Sequence, residues 1–147
     1  MQVDGIFRRN LEAMRQSVLS TTEEYIEPAI RCIEATKRCI KGGDKLLLAG
    51  NGGSATTASH ITNDFIGHMV NWNRRGYPAI ALTADISVLT ALTNDFGYDR
   101  VFSRQIEALG SEGDIFWCLS TSGNSRNIVL AVEECKKRGI VYVAVTA

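Results

Sequence analysis

Four short runs of consecutive apolar residues interrupt a chain otherwise patterned for helices. They are Lys45-Leu46-Leu47-Leu48-Ala49, Ala79-Ile80-Ala81-Leu82-Thr83, Ile115-Phe116-Trp117-Cys118-Leu119 and Val141-Tyr142-Val143-Ala144-Val145-Thr146. Continuous rather than alternating apolarity predicts strands buried on both faces. Helical patterns are expected over 55–69, 88–92, 101–109, and from Ser125 to about Arg138, where Gly139 stops the last one. Strands alternating with helices predict an α/β fold, a three-layer doubly wound parallel sheet. Right-handed crossovers then gather every strand-to-helix turn on one sheet edge, where ligands bind in such folds.

The segment before the first run carries no strand pattern. Ile6, Leu11, Met14, Val18 and Leu19 lie near helical spacing, with Arg8, Arg9, Glu12 and Arg15 between them. Ser20-Thr21-Thr22-Glu23-Glu24 is a helix-start signature, hydroxyls that can cap followed by acids that suit the positive helix end. A second helix is expected to about Ile40, with Ala29, Ile30, Ile33 and Ala35 as apolar positions, and Gly42-Gly43 ends it. The chain therefore divides into N-terminal helices, 1–43, and an α/β domain, 44–147. The α/β part closes on a strand with no helix to cover it, so a further C-terminal segment with at least a helix is expected.

Composition narrows the class. A length of 147 residues suits about one domain. Sixteen Lys and Arg balance sixteen Asp and Glu, which argues against nucleic acid or an anionic membrane as partner. No apolar run approaches the roughly 20 residues of a membrane helix, and the first residues lack a secretory signal. Cys32, Cys39, Cys118 and Cys135 form no close pair, so buried thiols in a reducing cytoplasm are expected rather than disulfides or a zinc ribbon.

Two turns share one grammar of apolar strand, small and hydroxyl residues, then helix: Gly50-Asn51-Gly52-Gly53-Ser54 and Ser120-Thr121-Ser122-Gly123-Asn124-Ser125. Glycine lets the backbone approach a ligand, and the amides of a helix start favour an anion. Two such turns on one edge point to a phosphorylated ligand, the second being the better phosphate cradle; ordinary capped turns are the alternative. No Walker pattern is present. Gly50-x-Gly52-x-x-Ala55 fits a dinucleotide fingerprint loosely, but no acidic residue ends the second strand to hold a ribose.

His60 and Asp64 stand four residues apart on one helix face. They could share a divalent ion, act as a base and its orienting partner, or form a solvated pair. His68 lies further along roughly the same face. Asn94-Asp95-Phe96-Gly97-Tyr98 is a turn signal whose amide and carboxylate could also bind sugar hydroxyls. Arg74-Arg75 reads as a solvated surface pair, and Trp117 as a packing residue.

Taken together, these segments resemble the sugar isomerase (SIS) domain family, and within it the phosphoheptose isomerases. The matching pieces are Gly50-Asn51-Gly52-Gly53-Ser54, His60, Gly76-Tyr77-Pro78-Ala79-Ile80-Ala81, Asn94-Asp95-Phe96-Gly97, Phe102-Ser103-Arg104 and Ser120-Thr121-Ser122-Gly123-Asn124-Ser125, in order along nearly the whole chain. The resemblance implies interconversion of sedoheptulose 7-phosphate and D-glycero-D-manno-heptose 7-phosphate in heptose biosynthesis. It implies substrate contacts from Asn51, Gly52, Gly53, Asn94 and Asp95, and phosphate contacts from Ser120, Thr121, Ser122 and Ser125. It implies zinc held by His60 and Asp64, with Asp64 also touching substrate and acting as catalytic base. Asp64 stands where the family has glutamate, and His68 where many members have arginine. In the family a last strand and helix add a glutamine and a histidine to the metal site, and nothing in these residues supplies them. A homotetramer with shared sites is also implied, and the N-terminal helices suit its contacts. A second resemblance is to a non-catalytic SIS relative that associates with the bacterial replication initiator; Asp64 and Gly53 favour the enzyme.

Overall fold

In a computed structural model, residues 3–19, 23–67 and 72–146 are described. They form two compact units, 1–34 and 35–147. The first unit comprises α1 (Val3–Leu19) and the start of α2 (Glu23–Gly42), which continues into the second. On α1 the pairs Arg8–Asp4 and Arg15–Glu12 sit one turn apart, while Phe7, Leu11 and Met14 form an exposed apolar stripe. Ile26, Ile30 and Ile33 repeat that stripe on α2. The expected cap at Ser20-Thr21-Thr22 lies outside the described residues, as does His68. Gly43, at φ +88°, follows the end of α2.

The second unit runs β1 (Leu46–Gly50), α3 (Gly53–Ile66), β2 (Ala79–Ala81), α4 (Ile86–Phe96), a 3-10 turn (Tyr98–Arg100), α5 (Val101–Leu109), β3 (Ile115–Leu119), α6 (Arg126–Lys137) and β4 (Val141–Val145). All four strands are parallel, in the order β2-β1-β3-β4. This is the expected α/β architecture. Leu47, Ala49, Phe116 and Cys118 point to one face, where Val101, Phe102 and Ile106 of α5 and Ile128, Ala131 and Cys135 of α6 close the core. Leu46 and Leu48 alternate to the other face, and α3 packs on the sheet with Ala58 and Thr62 buried. Each large side chain buried this way contributes about 1.5–3 kcal/mol.

Several boundaries differ from the expectation. α3 starts at Gly53 and ends at Ile66, not near 69, and β2 is only three residues long. α4 is longer than 88–92 because Asp85 caps it, its carboxylate accepting from the Ser87 and Val88 amides at 2.9 and 3.1 Å. β4 is not buried on both faces. Val141, Tyr142 and Val145 are 55%, 39% and 45% exposed, because β4 has one neighbour and, among the described residues, only α6 packs closely on it.

The edge opposite the strand-to-helix turns is fixed by Asp114, which is 2% exposed. Its carboxylate accepts from the Lys45 amide at 3.0 Å, Lys45 Nζ at 2.6 Å and the Ser111 amide at 2.8 Å. One buried charge thus ties the starts of β1 and β3 together, with its partners satisfied. No helix among the described residues is long and apolar enough to cross a membrane.

The cysteines in this unit are buried and free. Burial pushes the Cys39 and Cys118 thiols up to about 11 and Cys135 to about 12. At pH 8 a thiol at about 11 is roughly one part in a thousand thiolate, the reactive form, and Cys135 roughly ten times less. Iodoacetamide at pH 8 is therefore expected to leave all three unmodified in the folded protein and to label them after denaturation, read by mass spectrometry. Rapid labelling of Cys118 or Cys135 in the native state would contradict the packing.

Candidate active site

The parallel pairing of β1 with β3 places Gly50 opposite Leu119. Neighbouring strands lie about 4.8 Å apart, so the turns leaving these two residues begin side by side. From β1 the chain crosses to β2 on one flank, while β3 lies on the other, which makes the mouth between them a topological switch point.

The first turn is tight. A Cβ on Gly50 would meet the Ser54 backbone at 2.7 Å, and Gly52 turns at φ +55°. Only glycine tolerates the first approach, and glycine best tolerates the second. Gly52 leads into α3 with no side-chain cap. The second turn folds on itself: Ser120 Oγ donates to Ser125 Oγ at 3.1 Å, Ser122 Oγ accepts the Asn124 amide at 3.2 Å, and Gly123 adopts φ +66°. Ser125 precedes α6, and its hydroxyl makes no cap hydrogen bond to that helix. Both turns therefore end at helix starts whose dipoles favour an anion.

The turns meet at a cavity of about 150 Å³ lined by Ser54, Thr57, Leu119, Ser120, Thr121 and the end of β4. Of the expected phosphate residues, Ser120 and Thr121 line it, while Ser122 and Ser125 stand behind in the same turn. Asn51, Gly52 and Gly53 form the adjoining backbone and do not line it. Ser54 and Thr57 were not among the expected contacts; their i, i+3 spacing from each other, at the start of the helix that follows the glycines, was the available signal. A larger cavity of about 260 Å³ opens behind Ser120 between α6 and β4 and is mainly apolar.

Asn51 is held firmly. Its Nδ2 donates to Asn127 Oδ1 at 2.9 Å, Asn127 Nδ2 donates back to Asn51 Oδ1 at 2.9 Å, and the Tyr98 hydroxyl donates to the same oxygen at 2.7 Å. Asn127 is 2% exposed. It was missed in the sequence, although a polar residue four before Ala131, on the buried face of α6, was the signal. Tyr98 brings the third segment to the first turn. Within that segment Asn94 and Asp95 are exposed and hydrogen-bonded to each other at 2.8 Å, and neither lines the cavity.

His60 and Asp64 share a face of α3, His60 Nε2 standing 3.6 Å from Asp64 Oδ2. The imidazole is 75% exposed and the carboxylate 24%. Two tetrahedral ligands about 2.0–2.1 Å from one zinc ion would lie roughly 3.4 Å apart, so this pair fits two positions on such an ion. Among the described residues no third His, Cys, Asp or Glu joins them. Thr57 precedes His60 by one turn, so this face continues from the cavity. Arg74 departs from the expectation of a solvated pair with Arg75. Its guanidinium donates to the Asp64 and Phe65 carbonyls and stacks 4.5 Å over Tyr77, capping the end of α3.

A family model described as SIS domain matches residues 6–147. The chain belongs to the SIS domain family. Within it the chain falls among the phosphoheptose isomerases. It is 48% identical to the phosphoheptose isomerase of Aneurinibacillus thermoaerophilus over 137 residues, covering 89% of this chain and 69% of that protein. It is 47% identical to that of Thermodesulfovibrio yellowstonii over 147 residues, covering 100% and 73%. Among solved structures, a phosphoheptose isomerase from Francisella tularensis superposes with a TM-score of 0.91 at 34% identity, covering 99% of this chain and 76% of that one. The Neisseria gonorrhoeae enzyme gives 0.82 at 36%, covering 98% and 72%.

The first turn of this SIS domain depends on the bare Cα of Gly50. Gly50→Ala is expected to lower stability by about 1–3 kcal/mol in urea titration, since the backbone of Ser54 must move. An unchanged midpoint would contradict the close approach.

Proposed function

We propose that this SIS domain works as a phosphoheptose isomerase, an aldose–ketose isomerase that converts sedoheptulose 7-phosphate to D-glycero-D-manno-heptose 7-phosphate for heptose biosynthesis. Membership among the phosphoheptose isomerases supports the reaction. The observation that carries it is the convergence of the glycine and serine turns on one cavity at the switch point. Ser120 and Thr121 grip the phosphate there, backed by Ser122 and Ser125 and by the start of α6. That grip supplies binding energy remote from the reacting carbons and holds them in place.

Asp64 lies seven residues beyond Thr57 on α3, about 10 Å along the helix axis. An extended seven-carbon chain and its phosphate ester, with bonds of about 1.5 Å, span a similar distance. A phosphate in the cavity therefore puts the carbonyl end within reach of Asp64. Its carboxylate removes the proton from the carbon beside the carbonyl, and negative charge moves to oxygen in an enediolate. The isomerisation is completed as the proton returns to the former carbonyl carbon and the hydroxyl proton passes from one oxygen to the other. Asn51, Gly52 and Gly53 border the sugar, and Asn94 and Asp95 meet its hydroxyls from the adjoining segment. His60 and Asp64 would hold zinc, which when bound supplies stabilisation of charge on the substrate oxygens. The exposed apolar stripes of α1 and α2 support a homotetramer built through the N-terminal helices. Balanced charge and free buried thiols support a cytoplasmic enzyme.

Asp64→Asn keeps size and removes the base. With zinc present it is expected to lower turnover of sedoheptulose 7-phosphate by about 10²–10⁴-fold while binding persists. Turnover equal to that of the unaltered protein would overturn the assignment of the base; no turnover by the unaltered protein, with capture of a replication initiator, would favour a non-catalytic role.

A further inference from the structure

We propose that Tyr98 and Asn127 are positioning residues that set the direction of the Asn51 amide, so that Asn51 meets the sugar as a hydrogen-bond donor only. The inference rests on the isomerase reading above and adds to it a rule for how one site residue reads its substrate.

The orientation follows from a chain of donors and acceptors that starts in the backbone. The Ile128 amide donates to Asn127 Oδ1 at 3.0 Å. An N–H cannot face the NH₂ of a carboxamide, so this contact fixes which end of Asn127 is oxygen. Asn127 Oδ1 in turn requires a donor from Asn51, which places Asn51 Nδ2 against it at 2.9 Å. The reciprocal bond, Asn127 Nδ2 to Asn51 Oδ1 at 2.9 Å, then follows. Tyr98 completes the arrangement by donating its hydroxyl proton to Asn51 Oδ1 at 2.7 Å. Asn127 is buried, so the pair is shielded from water, while Asn51 is only half-buried.

A count of valences gives the consequence. Asn51 Oδ1 has two lone pairs and two donors, and is saturated. Asn51 Nδ2 has two hydrogens, of which one goes to Asn127. One N–H is left at the mouth between the two turns, and it can serve only an oxygen that accepts. The knot also joins three segments that the sequence keeps far apart: the first turn, the start of α6 behind the serine turn, and the residue next to Asn94-Asp95-Phe96-Gly97. Tyr98 contributes through Asn51 and not by contact of its own with the phosphate turn.

The test is a double-mutant cycle in the whole protein, reading affinity for sedoheptulose 7-phosphate and for inorganic phosphate by calorimetry. Tyr98→Phe removes one hydroxyl and no packing. Loss of one hydrogen bond is expected to weaken sedoheptulose 7-phosphate binding about 2- to 12-fold, with phosphate affinity unchanged. In an Asn51→Ala background the same substitution is expected to have no further effect. Asn127→Asp, which turns the donor facing Asn51 Oδ1 into an acceptor, is expected to weaken the sugar phosphate more than Tyr98→Phe does. A Tyr98→Phe protein with unaltered sugar phosphate affinity overturns the proposal. So does an effect that persists without the Asn51 side chain, because Tyr98 would then act on its own. If the unaltered protein binds no sedoheptulose 7-phosphate, the isomerase reading fails first and takes this proposal with it, a result distinct from the variant outcomes.

Discussion

The in-register pairing of β1 with β3 is the constraint on which the site depends. Both strands are buried and parallel, so their ladder admits no slip without turning Leu47, Ala49, Phe116 and Cys118 away from α5 and α6. The register is locked at the other edge as well, where Asp114 holds the starts of both strands. Its consequence appears five residues later, where Gly50 and Leu119 release two turns within one strand spacing of each other. Neither turn would be distinctive alone. Side by side, with a helix start behind each, they border a cavity lined by hydroxyl groups, with no lysine or arginine among the described residues of its wall.

From that mouth the remaining chemistry is set out along α3 and across the Asn51 knot. α3 starts in the first turn and carries Thr57, His60 and Asp64 outward in sequence along one rigid helix. Arg74 caps the far end of that helix at the carbonyl of Asp64 itself. Asn127 and Tyr98 tie the first turn to α6 and to the segment after α4. The site thus rests on rigid elements, with the Asn51 amide oriented by Asn127 and Tyr98 before any ligand arrives.

Much of this was legible in the chain, and the reasons for the rest are physical. The apolar run Ile115–Leu119 and the periodic stretch Val101–Leu109 gave β3 and α5 directly, because each contributes to the main core and its pattern reports burial. α4 was read short because it buries no residue, leaving Asp85 as the main local marker of its start. β4 has the composition of a central strand and the exposure of an edge strand; composition records what a strand can bury, not how many neighbours reach it. The two turns and the His60–Asp64 spacing were visible as local grammar. The contacts of Arg74 and Asn127 were not, since a guanidinium that caps the preceding helix end and an amide that pairs with a residue 76 positions away depend on tertiary approach; for Asn127 the pattern of α6 shows only that a polar side chain is buried.

The central claim, that the glycine and serine turns grip one anion together, is tested most directly by amide chemical shifts during titration with inorganic phosphate. The account predicts that amides of residues 52–55 and 120–126 move along one binding curve with a single dissociation constant. Shifts confined to one turn, or two curves with different constants, would contradict it.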